Sequence, residues 1–381
     1  MSKRSWSAAL LTLLSIPSTA SAQPGRTAGD TSAHIPRPLS SPVRVCAGGD
    51  VTLGTNLDPL WATPAADTLE RFYGLRPDPD SLAPALHPFF AGADVVVLNI
   101  EGAIGSGSAA PKCGPRSHSC FAFRQPPNAA AALRRAIDTT AVLVGNVANN
   151  HSRDAGDAGR DTTVSYLTSA DIRVTGADTL ATPIALASGD TIAILGFHTD
   201  TAAPDARDLA AVRRHVARAV SQYGTVIVTM HLGAEGPTAQ RTKNATESFL
   251  KLNRGNPVGF ANAALRGGAT LVLGHGPHVL RAVEWRGNRL IVYSLGNLLT
   301  YGPFKLREPT NRGAVVCATI DSARHVSAAE LRPTMQRWPG VLQADSSRRA
   351  WRLVDSLSAL DFPRTGARVD SRGALKKRKR P

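Results

Sequence analysis

Long apolar runs are scarce in this 381-residue chain, and cysteine, methionine and aromatic residues are few. After residue 22 no segment approaches the ~20 consecutive apolar residues of a membrane-spanning helix, which argues against a helical membrane bundle. There are four cysteines, and none stands among the polar clusters described below, which argues against a structural thiolate zinc site. Acidic residues are outnumbered, 29 against 44 basic, for a formal charge of +15. Part of that excess lies at the ends, in Lys3, Arg4 and the run 376–380. The remaining, moderately basic body suits an anionic substrate or polymer. No internal repeat is visible, and 43% hydrophobic residues can bury a sizeable core.

The first 22 residues read as a secretory signal: a basic start, an apolar centre at 8–17, and the small-residue site Ala20-Ser21-Ala22. Export to a periplasm or the medium follows, and no cysteine after that site offers a lipid anchor. In an exported protein the basic tail reads as a solvated, disordered end, and nucleic acid is not the expected partner. Residues 23–42, rich in Pro, Ser, Thr and Gly, read as a linker. Export permits disulfides. Cys113 and Cys120 share one polar loop and are the first choice for a bridge. Cys46 and Cys317 sit in strand-like runs, VRVCAG and AVVCATI, so a bridge there requires those strands to be neighbours; buried free thiols are the alternative.

From residue 43, short apolar runs alternate with helix-like segments. Strands are expected at 94–98, 141–144, 191–196, 225–230 and 270–273, with helices near 128–137, 155–169, 208–222 and 257–266. Segments 280–285 and 289–294 flank the hairpin turn Arg286-Gly287-Asn288, and 313–320 supplies a last strand. The alternation implies an α/β fold with buried, largely parallel strands finished by antiparallel pairs. Beyond residue 320 the pattern fades, leaving an expected helical extension, with a helix at 348–360, and the basic tail.

Polar clusters follow the strands. Asp50 comes after VRVCAG; Asn99 and Glu101 end DVVVLNI; Asn149, Asn150, His151 and Asp154 follow AVLVG. His231 and Glu235 follow TVIVTM, and His275 and His278 follow TLVLG. Ligands gather at the carboxyl ends of strands in α/β sheets, so these groups are expected to converge on one concave site. Imidazoles with carboxylate and amide oxygens suit a divalent transition metal such as Mn, Zn or Fe. Each residue alone has an ordinary structural explanation, such as a turn cap for Asp50 or a surface ion pair for Glu101. The recurrence of the placement carries the reading.

The segments GGDVTLG (48–54), VVLNIEGAI (96–104), FRQPP (123–127), VANNHSRDAG (147–156), HLGAE (231–235), GHGPHVLRAVE (274–284) and YSLGNLL (293–299) resemble, in order, the CapA or poly-γ-glutamate capsule synthesis proteins. That family looks like a branch of the calcineurin-type metallophosphatase superfamily. The resemblance implies a single domain over 43–320, a metallophosphatase-like sandwich of two mixed β-sheets flanked by helices. It further implies one or two metal ions held by Asp50, Glu101 as bridging carboxylate, Asn150, His231, His275 and His278. His151 is then the general acid, with Asp154 and Glu235 as further catalytic candidates. Asn99, Asn149, Glu284 and Asn297 would orient the ligands. Two departures stand out. Thr52 occupies the place of the histidine in the superfamily's Asp-x-His, and Gly276-Pro277 separates His275 from His278 where one residue is usual.

The expected function is metal-assisted hydrolysis of a phosphoester or an anionic polymer such as polyglutamate, with a membrane capsule synthase as a further partner. The alternative is a non-catalytic polymer-binding or export factor on the same fold, which Thr52 favours and the convergent histidines oppose. Glycoside cleavage by Glu101 and Glu235 would leave the histidines without a role.

Overall fold

The structure, a computed structural model, describes residues 37–54, 59–105, 121–199 and 204–378. The expected signal, most of the linker, and the Cys113–Cys120 pair lie outside those residues.

The chain opens with β1 (Val43–Leu53), then α1 (Pro59–Thr68), α2 (Pro79–Leu82) and α3 (His87–Phe90), and returns as β2 (Val95–Ile100). A short pair, β3 (Ala103–Ile104) and β4 (Arg124–Gln125), precedes α4 (Ala129–Arg135), β5 (Val142–Asn146), α5 (Gly156–Ser169) and β6 (Arg173–Thr175). The second half begins with β7 (Thr182–Ala185), β8 (Thr191–His198), α6 (Leu209–Tyr223) and β9 (Val226–His231). A small hairpin, β10 (Ser248–Phe249) and β11 (Leu252–Asn253), leads to α7 (Pro257–Gly267), β12 (Leu271–His275), β13 (Val283–Arg286) and β14 (Arg289–Val292). The chain then crosses back as β15 (Asn297–Tyr301), β16 (Arg312–Ile320), β17 (Val326–Arg337) and β18 (Val341–Ala344). It finishes with α8 (Arg349–Asp361) and the ribbon β19 (Ala367–Val369) and β20 (Leu375–Lys377).

These strands form two mixed sheets. One runs β18-β17-β16-β1-β2-β5-β6 with β15 also beside β1, and the other β13-β14-β12-β9-β8-β7. The side chains of β1 and β2 show why the sheets face each other. Val43, Val45, Ala47, Val95 and Val97 join Ile194, Ile227, Leu271 and Leu273 of the second sheet in one core, whereas Cys46, Val96 and Leu98 point the other way, onto α1–α5. Period-two alternation thus buries both faces of each strand. The outer face of the second sheet is covered by α6 and α7 through Val212, Val216, Val258, Phe260 and Ala264. Asp208 caps α6 by accepting from Ala211 N, and Asn256 caps α7 by accepting from Gly259 N ahead of Pro257 at its first position. The expected sandwich of two mixed sheets flanked by helices is the fold observed.

The region after residue 320 departs from expectation. Helix α8 is present, but β17 pairs with β16 from Arg312↔Met335 to Ile320↔Val326 and widens the first sheet. The basic tail is ordered as far as β20, which pairs with β19 through Val369↔Leu375 and Ala367↔Lys377. The reason is that β17 buries Val326, Ala329 and Leu331 between charged and small residues, so its hydrophobic signal is weak; the backbone ladder with β16 supplies what side chains do not. Among the described residues no helix is long and apolar enough to cross a membrane.

Cys46 and Cys317 lie opposite each other across the antiparallel β1–β16 pair and form a disulfide, joining residues 271 positions apart. Reduction, or the double change Cys46→Ala and Cys317→Ala, is expected to lower unfolding free energy by roughly 2–4 kcal/mol. Urea unfolding with and without reductant checks this; an unchanged midpoint would contradict it.

Candidate metal centre

The site begins with a disruption of β1. Its register against β2 shifts between Ala47 and Asp50, across Gly48-Gly49. A Cβ on Gly49 would lie 1.9 Å from the carbonyl oxygen of Gly296, so only glycine admits β15's approach there. Asp50 N then donates to that same oxygen at 3.0 Å, and the bulge sets the fully buried carboxylate inside β1, ahead of Val51–Leu53. Thr52 is also enclosed, and its hydroxyl donates to Glu101 O at 2.7 Å. The threonine therefore anchors the backbone of the neighbouring carboxylate.

Asp50, Glu101 and His278 each present a ligand atom, all within 4.8 Å of one another. His278 Nδ1 lies 3.0 Å from Asp50 Oδ2 and 2.9 Å from Asn297 Oδ1. Asn297 Oδ1 takes the proton on Nδ1, with Asp50 Oδ2 beside it, and Nε2 is left to face Glu101 Oε1 at 3.6 Å. The backbone of His278 is left-handed, with φ of 57°, an arrangement costing about 1–3 kcal/mol that such side-chain contacts sustain. Both Glu101 oxygens are buried without a hydrogen-bond partner. Two enclosed carboxylates with unsatisfied oxygens beside an imidazole fit a divalent cation, and the absence of sulfur suits a harder ion than a thiolate site would.

Asn99 ties this cluster to both sheets. Asn149 has its amide fixed at both ends, Nδ2 donating to Ile100 O at 2.8 Å and Oδ1 accepting from His151 N at 3.0 Å. Asn149 and Asn146 both donate to Asn99 Oδ1, at 3.2 and 2.9 Å. The nitrogen of Asn99 must then face Asp50 Oδ1 at 2.8 Å and His231 Nδ1 at 3.2 Å. This network makes His231 Nδ1 an acceptor and puts its proton on Nε2, 3.7 Å from Glu101 Oε1. In this arrangement His231 is a donor toward the cluster; it would ligate through Nε2 only in its other tautomer, with the proton on Nδ1 and the Asn99 amide turned to accept it.

His151 borders the cluster with Nε2 4.0 Å from Glu101 Oε1. Its Nδ1 lies 2.6 Å from Asp154 Oδ2, which also accepts from Phe123 N at 2.7 Å. The Phe123 ring covers the imidazole at 4.4 Å, and Phe304 lies against both Phe123 and His278. Asn150, half-buried, stands on the same turn between Asn149 and His151. His275 is buried beside the cluster rather than in it, with Nε2 3.0 Å from Gly48 O. Glu284 belongs to a different network, accepting from Tyr293 OH, Arg286 Nε and Thr365 Oγ1. It touches none of the ligand candidates because β13 carries it to the far edge of its sheet.

Two groups escaped the sequence reading. His198 ends β8 level with His231, which itself faces His275, so three histidines form a row across parallel strands. Its position after the apolar run 191–197 was the available signal. Arg254 lies within the long excursion between β9 and α7 and is 4% exposed, with Nη2 2.8 Å from Glu235 Oε1. Nothing in KLNRGNP distinguishes it from a surface arginine.

Electrostatics follow from this enclosure. Burial pushes Glu101 well above the carboxylate range, helped by the charges of Asp50 and Glu235 against that of His278. Burial opposes charge on Asp50 too, but the hydrogen bond and charge of His278 outweigh it and hold Asp50 below its ordinary value. Burial works against protonated His278, yet Glu101, Asp50 and Glu235 push its pKa up to about 10. Burial, then the positive charge of Arg254, hold His231 well below the usual imidazole value, and burial lowers His275. Without metal, the surrounding carboxylates thus keep a proton on His278.

The model of the bacterial capsule synthesis protein PGA_cap matches residues 44–301, more than half of the chain. No curated protein matches. Among solved structures, a candidate 5′-nucleotidase from Staphylococcus aureus in complex with alpha-ketoglutarate is 12% identical, with 84% of this chain and 59% of that one covered and a TM-score of 0.44. A 5′-nucleotidase precursor from Thermus thermophilus is 11% identical, covering 85% and 59%, with a TM-score of 0.40. GAP50, the anchor in the inner membrane complex of Plasmodium, is 9% identical, covering 83% and 95%, with a TM-score of 0.30. The chain spans less than two thirds of the first two. With TM-scores below 0.5, none of these likenesses bears on function.

Elemental analysis of the purified protein should find about one or two divalent ions per chain, lost in His278→Ala. No metal after incubation with Mn or Zn would contradict the site. Because the ion must replace a proton on His278, Mn affinity should rise, and protons be released, as pH increases from ~6 to ~8. Calorimetry in buffers of different ionisation enthalpy reads both; affinity independent of pH would contradict the assignment.

Proposed function

The chain belongs to the bacterial capsule synthesis protein family, and from that premise we propose that it is an exported, metal-dependent hydrolase acting on a phosphoester. The observation that carries this reading is the buried Asp50–Glu101–His278 cluster, with both Glu101 oxygens unsatisfied, directly beside the His151–Asp154 pair. Asp50, Glu101 and His278 would hold one ion, with the Asn150 amide, neutral His275 through its unpaired Nδ1 and, in its other tautomer, His231 completing a site for one or two ions of Mn, Zn or Fe. Such an ion supplies Lewis acidity and lowers the pKa of water bound to it.

The protein's own groups perform the rest. Asp154 accepts from Nδ1–H of His151, fixes the tautomer and stabilises the imidazolium. That leaves Nε2, 4.0 Å from Glu101, as the atom that gives a proton to the leaving oxygen. Phe123, packed over the ring, limits water on that side. The basic composition favours anionic substrates, and a phosphoryl group matches the clustered donors better than a neutral amide. Polyglutamate, as an anionic polymer, and work beside a membrane capsule synthase are extensions of the same reading.

One observation favours a non-catalytic polymer-binding role instead. Thr52 brings no imidazole to the cluster and binds the Glu101 carbonyl, so the site has one nitrogen ligand fewer than the superfamily pattern.

Turnover of p-nitrophenyl phosphate and its bis-ester by metal-loaded protein separates the two. His151→Asn should lower kcat by about 10²–10⁴ while metal content stays unchanged. Retained metal with no turnover of either ester or of polyglutamate would overturn the hydrolase and favour the binding role.

A further inference from the structure

The excursion between β9 and α7 is built around a buried ion pair that the hydrolase reading leaves without a task. Arg281, 1% exposed, donates to Glu247 through Nη1 at 2.9 Å and Nη2 at 2.7 Å. Its Nη2 also reaches Ala234 O at 3.2 Å, and Glu247 Oε2 accepts from Ala234 N at 2.7 Å. Backbone bonds from Gly233 N to Arg254 O and from Arg254 N to Glu247 O close the frame at 2.8 and 2.9 Å. The frame holds two side chains at the edge of the metal centre, Glu235 and Arg254.

Their pairing is incomplete. Arg254 Nη2 lies 2.8 Å from Glu235 Oε1, yet neither atom has an aligned hydrogen bond, and both are buried. Arg254 Nε makes only a 3.3 Å contact with Gly233 O. Glu235 Oε2 points the other way, 3.8 Å from His278 Nε2. A fixed guanidinium is well suited to the paired oxygens of phosphate, and a buried one must always be neutralised by something.

We propose that Arg254 receives an anionic phosphoryl oxygen of the substrate and that Glu235 holds that place until the substrate arrives. On binding, the phosphoryl oxygen takes over Arg254, and Glu235 is left to His278. No bond is made or broken in this exchange; one buried anion replaces another against the same cation. The inference rests on the phosphoester reading of the site and assigns Glu235 to occupancy control rather than to proton transfer.

Calorimetric titration with inorganic phosphate tests the exchange directly, without turnover. Glu235→Gln removes the internal competitor and should tighten phosphate binding severalfold, whereas Arg254→Ala should weaken it by about tenfold or more. The Arg254→Ala, Glu235→Gln double variant should bind as weakly as Arg254→Ala alone. Arg254→Lys, which keeps a cation for Glu235 if the alanine change unfolds the loop, should bind between wild type and Arg254→Ala. Phosphate binding that is weakened or unchanged in Glu235→Gln, or unaffected by both arginine variants, overturns the proposal, as does absence of binding by wild type and Glu235→Gln alike. Ester turnover with an overturned binding pattern would leave the hydrolase standing without this role for Arg254. The predicted binding pattern without turnover would remove the hydrolase and keep the anion seat.

Discussion

The constraint on which the structure depends is the burial of two carboxylates, Asp50 at the bulge in β1 and Glu101 just past β2, with too few partners to satisfy them. Removing such groups from water costs several kcal/mol each unless opposite charge or hydrogen bonds compensate. Asp50 obtains that compensation from His278 and Asn99, while burial pushes Glu101, with no hydrogen bond to either oxygen, toward its protonated form. A divalent cation removes the same cost without the proton. The centre is thus a place where the fold accepts an unfavourable burial that a metal resolves.

The two-sheet architecture brings these groups together. Asp50, Glu101 and the Asn149–His151 turn come from the first sheet, and His231, His275 and His278 from the second. Asn99 is one hydrogen-bonded link between them, contacting Asp50 on one side and His231 on the other, and His275 to Gly48 O and His278 to Asn297 are two more. The bulge at Gly48-Gly49, the left-handed backbone at His278 and the close approach of Gly296 are local departures from regular geometry gathered at this point. Such departures persist only where surrounding contacts over-determine them, and here the asparagine network and Asn297 do so.

Much of this was legible from side-chain pattern. The short apolar runs VRV, VVVL, AVLV and VIV marked buried strands, and the polar residues that follow them, from Asp50 to His231, marked the functional site. What remained hidden depended on three-dimensional pairing. Strand β17 places only Val326, Ala329 and Leu331 as buried apolar residues among Glu330, Arg332 and small or polar neighbours, so the partner strand rather than its own sequence defines it. Cys46 and Cys317 are 271 residues apart, and their bridge follows from β1 lying next to β16, which no local pattern encodes. Arg254 is enclosed by contacts between Gly233, Glu247 and Gly255 that a linear reading cannot see. Glu284 shows the reverse: a carboxylate close in sequence to His278 that a β-strand carries into another network.

The central claim is that Asp50, Glu101 and His278 hold a divalent cation. Anomalous diffraction from crystals of the protein soaked in manganese tests it most directly. The account predicts a peak lying between the Glu101 carboxylate, Asp50 Oδ2 and His278 Nε2, with the Asn99 network unchanged around it. A protein that takes up manganese elsewhere, or leaves this position without a peak while Glu101 finds a hydrogen-bond partner of its own, would contradict it.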